Sequence, residues 1–97
     1  MKKEFKIEYK KLFENIRKII NDIDPESLSP GQEGGAPVDE YDREVESILS
    51  FLIHNQEEIK VRNHLLIEQV NKIWQESFGS KCSKVEMMVR DLLKIIF

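Results

Sequence analysis

Residues 24–38 hold all three prolines and three of the four glycines of the chain. Proline lacks an amide donor and fixes φ, and glycine disfavours regular structure, so Pro25, Pro30, Gly31, Gly34, Gly35 and Pro37 cannot sustain a helix or a strand ladder. Regular structure must therefore form on either side of one long break. Irregular segments of this length are uncommon in compact domains, where they tend to be functional or disordered. Leu28 and Ala36 are the residues able to pin the break to a core, and Gly31 to Gly35 reads as mobile.

Before the break, Phe5, Tyr9, Leu12, Phe13, Ile16, Ile19, Ile20 and Ile23 recur at helical spacing, which stacks them on one face of a helix over 4–22. Asp24-Pro25 ends that helix, because proline disfavours the helical conformation of the residue before it. After the break, Asp39 reads as the cap of a second helix, with Glu40, Asp42 and Glu44 at the positive end of its dipole. Tyr41, Val45, Ile48, Leu49 and Leu52 form its apolar stripe, and His54-Asn55 ends it. A third helix is expected over 57–78, with Ile59, Leu66, Val70, Ile73 and Trp74 inward and Gly79 as its left-handed stop. The fourth, over 84–96, starts at Ser83-Lys84-Val85-Glu86, the spacing of a reciprocal capping box. Its stripe is Val85, Met88, Val89, Leu92 and Ile96. Nothing alternates at period two. The expected fold is all-α, one domain over 1–97, an antiparallel four-helix bundle with a long Pro/Gly-rich loop between helices 1 and 2.

Composition narrows the function classes. A chain of 97 residues has room for one modest core. No apolar run approaches the roughly 20 residues that span a bilayer, and no unbroken apolar segment follows the basic start Met1-Lys2-Lys3. A lone Cys82 excludes an internal disulfide and points to a reducing cytoplasm. The formal charge of −3 argues against general affinity for nucleic acid or anionic lipid. That total hides a segregation: residues 1–20 sum to +4, 21–46 to −8 and 47–97 to +1. The acidic segment is either a solvated loop and helix start or a surface for a basic partner.

No catalytic or cofactor motif emerges. Asp24, Asp39 and Asp42, with Glu40 and Glu44, are the oxygen-rich set a divalent cation would use, but their spacing is not that of an EF-hand loop. His54 and His64 lack further ligands at zinc spacing. Cys82 stands before a helix start with Lys81 and Lys84 beside it, which would favour a thiolate, but no base is near in sequence. Phe51, Ile53, Leu65, Ile67, Ile95 and Phe97 lie off the main stripes. Either the helices are buried on two sides or these residues meet a partner, a second copy included.

Asp24-Pro25 followed by Gly35-Ala36-Pro37-Val38-Asp39-Glu40-Tyr41-Asp42 resembles the pattern of a family of small, uncharacterised Gram-positive bacterial proteins, a domain of unknown function with a Gly-Ala-Pro-x-Asp-Glu-Tyr-Asp motif. The resemblance implies a small helical cytoplasmic protein whose acidic turn carries its function. The sequence therefore supports three expectations. In the first, a non-enzymatic interaction module meets a basic partner through Asp39, Glu40, Tyr41 and Asp42, with no cofactor or metal. In the second, a divalent-metal-dependent enzyme uses Asp24, Asp39 and Asp42. In the third, the motif is purely structural, shaping the loop and capping a helix.

Overall fold

The computed structural model describes the backbone from residue 2 onward and the side chains from residue 9. Among the described residues there are five helices and no strand: α1 Lys2–Ile23, α2 Asp42–His54, α3 Gln56–Val61, α4 His64–Phe78 and α5 Val85–Ile96. No helix among them is long and apolar enough to cross a membrane. Helix α1 packs on α2 and α5, α4 packs on the same two, and short α3 bridges α2 and α4.

The inward stripes fill one core. Ile16 and Ile20 come from α1, Val45, Ile48, Leu49 and Leu52 from α2, and Ile59 from α3. Leu66, Val70, Ile73 and Trp74 come from α4, and Met88, Val89 and Leu92 from α5. Tyr41 and Cys82, outside any helix, complete it. Leu12, Phe13, Ile19 and Ile23 pack partly buried around it, whereas Tyr9 is 42% exposed. The side chain of Phe5, expected on the same stripe, lies outside the described residues.

Three local expectations are corrected. The single helix expected over 57–78 is two, parted at Arg62, whose φ of −129° and ψ of 79° are not helical. The segment around the break offers only Val61 for burial, and Val61 is 81% exposed, so no packing holds the helix continuous there. Second, Asp39 does not cap α2. Pro37 and Asp39 carbonyls accept the amides of Glu40 and Asp42, making turns ahead of a helix that starts at Asp42 without a side-chain cap. Third, the capping box at α5 does not form. The Ser83 hydroxyl donates to the carbonyl of Pro25 instead (3.4 Å), and Lys84 Nζ donates to the carbonyl of Ile23 at the end of α1 (3.2 Å). The start of α5 is thus used to secure the end of α1, where carbonyls lack partners within the helix.

Gly79 fulfils its expected role. It closes α4 at φ 77°, its amide donating to the carbonyl of Gln75. A Cβ there would meet nothing, so only the backbone conformation opposes substitution. Gly79→Ala is expected to lower the unfolding free energy by about 1–2 kcal/mol, and Gly79→Asn by less, when both are measured by urea denaturation.

Candidate functional site

The predicted tetrad Asp39-Glu40-Tyr41-Asp42 does not form one surface. Tyr41 is fully buried. Its ring lies on Trp74, centroids 6.0 Å apart and 24° between planes, and edge-on to Phe78 at 6.2 Å. Trp74 and Phe78 complete the trio at 5.3 Å. A buried phenol needs hydrogen-bond partners, and the hydroxyl has two: it donates to Asp24 Oδ1 (2.7 Å) and accepts the amide of Glu26 (2.9 Å). Burial, then the Asp24 carboxylate, pushes the Tyr41 pKa well above its ordinary value. It therefore stays a neutral donor.

Asp24 is the hub of the break. Besides Tyr41 it accepts the amides of Leu28 (2.8 Å) and Ser29 (2.9 Å). Glu26, next in the turn, accepts the indole N–H of Trp74 (2.9 Å). Burial pushes the Asp24 carboxyl up, but the hydrogen bonds from Tyr41, Ser29 and Leu28 outweigh it and hold the pKa below the usual value. Leu28 packs against the core and Pro25 is buried. The glycine-rich stretch expected to be mobile is exposed, yet its backbone is closed on itself. The Gly31 amide donates to Ala36, that of Ala36 to Leu28, and that of Gly35 to Gln32.

Asp42 is also occupied. Arg17 of α1 grips it with two nitrogens, Nε to Oδ1 at 2.8 Å and Nη2 to Oδ2, while the guanidinium carbon lies 5.3 Å from the Phe13 ring centroid. Such forked pairs are the stronger kind of ion pair. Asp24 and Asp42 are thus committed to protein donors, so the carboxylate set expected to hold a divalent cation is not assembled. Among the described residues no three His, Cys, Asp or Glu side chains gather as a metal site. His54 Nδ1 donates to the Ser50 carbonyl (2.7 Å), and His64 lies 3.7 Å from Glu68 on the open face of α4.

Cys82 lies in the core, just before α5. The thiol is 4% exposed, and burial raises its pKa more than the nearby Lys84 amide lowers it, so thiolate chemistry is disfavoured. Of the off-stripe apolar residues, Phe51, Ile53, Ile67 and Ile95 are partly buried against the core, and Leu65 is half-buried. Phe97 alone is open, at 55%.

Asp39 and Glu40 do stay exposed, and they face an open groove of about 640 Å³ between the start of α2 and the end of α4. Arg43, Glu44, Ser47, Ile73, Glu76, Ser77 and Phe78 complete it. Glu44 is only 4% exposed and accepts the Ser77 hydroxyl at 2.8 Å. Burial raises its pKa, partly offset by that hydrogen bond. Nothing in the sequence singles out Glu76, and Glu44 reads there only as a helix-start acid and a member of the oxygen-rich set, not as a buried one. Glu44 falls one residue before Val45 of the apolar stripe, and a carboxylate there reads as solvated. The groove holds four acids against the single base Arg43, and none of the ion pairs among the described residues involves them.

Comparison with protein-family models, curated proteins and solved structures returns no match. Residue chemistry alone therefore guides a functional reading.

Two stability outcomes follow from the geometry. Tyr41→Phe keeps the ring but strands the Glu26 amide and takes from Asp24 Oδ1 one of its two donors, leaving the Leu28 amide, and should lower stability at neutral pH by about 1–3 kcal/mol in chemical denaturation. Glu44 acts in the other direction. A carboxyl with a raised pKa in the folded protein contributes stability below its unfolded value and loses it as pH rises through the folded one. Glu44→Gln removes that loss. The melting temperature of the variant relative to the parent should therefore climb as pH is raised above the 4.5 of an ordinary glutamate. A difference flat with pH would contradict the burial of this charge.

Proposed function

We propose that the protein is a non-enzymatic interaction module that receives a cationic side chain, or a short basic segment of a partner protein, in the groove between α2 and α4. The contacting residues are Asp39 and Glu40 from the expected tetrad, joined by Glu76 on the rim and Glu44 in the wall. The observation carrying this is the excess of groove carboxylates, four against the one base Arg43 and none of them in an ion pair among the described residues, while the neighbouring Asp42 is paired with Arg17. An exposed carboxylate that the fold does not neutralise is free to pair with an incoming lysine or arginine. Phe78 and Ile73 add the apolar contact on which a long basic side chain lays its stem.

The structural role considered for the motif is supported at Asp24, Tyr41 and Asp42, whose polar atoms are turned inward to one another or to Arg17. The two roles divide the acidic segment between them, and a metal-dependent reaction at Asp24, Asp39 and Asp42 has no such support. The ring of contacts α1–α2–α4–α5–α1, with α3 spliced in, supports an antiparallel four-helix bundle as the scaffold. The buried, unpaired Cys82 fits work in a reducing cytoplasm.

The test is capture of partners from a cell lysate by immobilised parent and by the Asp39→Asn/Glu40→Gln/Glu76→Gln variant, which leaves Tyr41 and Asp42 intact. The parent should retain a basic protein that is released as salt is raised and that the variant fails to hold. Retention of that protein by the variant would refute the groove as the contact surface.

A further inference from the structure

Residues 25–40 have the construction of a strap organised around one carboxylate, that of Asp24. Asp24, Ser27 and Ser29 all adopt positive φ (48°, 55° and 51°), a conformation that L side chains avoid. Each such residue is strained and persists only where its surroundings enforce it. Here the enforcing contacts converge on the Asp24 carboxylate, which holds the Leu28 and Ser29 amides and the Tyr41 hydroxyl together. Farther along, a Cβ on Gly35 would overlap the Ser29 carbonyl, so the strap's two arms touch backbone to backbone. Apolar anchorage is slight. Pro25 is buried and Leu28 partly so, but 31–35 and 37–40 are exposed. Toward the core, the strap is tied by Glu26 to Trp74, by Pro25 to Ser83 and by Val38 to Asn21 Nδ2. All three ties are hydrogen bonds.

A segment held by many polar contacts and little buried apolar surface has a low opening free energy compared with helices that share a core. We propose that residues 25–40 open and close as one cooperative unit over the Tyr41–Trp74–Phe78 cluster, with the Asp24 carboxylate as the latch, while the five helices stay folded. Closing the strap brings Asp39 and Glu40 to the groove whose other walls are α2 and α4, so the latch assembles that groove. This consequence rests on the groove's proposed role, but the latch does not.

Native-state hydrogen exchange on the intact chain tests the latch without any ligand. The reporters are the amides of Glu26, Leu28, Ser29, Gly31 and Ala36, whose acceptors all lie in this network. They should share one opening free energy and one denaturant dependence, with protection at least about tenfold below that of α4 amides such as Val70 and Ile73. Asp24→Asn should speed all five by a common factor and leave the α4 amides unchanged. Five unrelated, denaturant-independent rates would overturn the proposal, and so would exchange only through global unfolding. These parent measurements stand even if Asp24→Asn fails to fold. Loss of partner capture with a cooperative strap, or the reverse, separates failure of the groove from failure of the latch.

Discussion

The hydrogen bond between Tyr41 and Asp24 sets the geometry of the break. Asp24 ends α1 and Tyr41 immediately precedes α2, so one contact of 2.7 Å joins the exit of one helix to the entry of the next. With the phenol ring laid on Trp74, the same residue fastens both helix ends to α4. Ser83 and Lys84 extend the arrangement to α5 through the carbonyls of Pro25 and Ile23. Four helices thus meet around one turn, at which α1 ends with Asp24 in a left-handed conformation. The hydrogen bonds are individually modest, but an unpaired buried phenol or carboxylate would cost more than each bond contributes. That asymmetry makes the arrangement specific.

What could be read from the sequence was whatever repeats at short range. Apolar stripes at helical spacing located α1, α2 and α5 to within a few residues, and a glycine with positive φ ended α4 where expected. What could not be read was pairing across the chain. Ser83 has the local pattern of a cap but spends its hydroxyl on Pro25, 58 residues away. Asp39 has the local pattern too, yet the turns from Pro37 to Asp42 delay the helix by three positions. Tyr41 between acids resembles an interface residue, and it is the buried end of a network instead. Its place on the inward stripe with Val45, Ile48 and Leu52 was the signal that favoured burial. The break at Arg62 had a fainter one, the scarcity of apolar residues between Ile59 and Leu65.

The −8 segment divides by burial. Asp24 and Asp42 have partners inside the fold, one in backbone amides and a phenol, the other in Arg17 of the +4 helix. Part of the opposition between the basic first helix and the acidic segment is therefore internal, neutralised where α1 meets α2. Asp39 and Glu40 remain outside that neutralisation, and Glu44 and Glu76 join them from α2 and α4. The strap places two carboxylates on a surface to which the helices contribute the other two. A local feature of the chain thereby becomes a property of the tertiary structure.

The most direct measurement is a double-mutant cycle between Asp24→Asn and Tyr41→Phe, read as unfolding free energies in urea at neutral pH. Contacting polar groups in one network couple by about 0.5–3 kcal/mol, whereas independent sites add to within about 0.3–0.5 kcal/mol. A coupling of about 1 kcal/mol or more is expected for this pair. Simple additivity would contradict the claim that these two side chains hold the helix ends together.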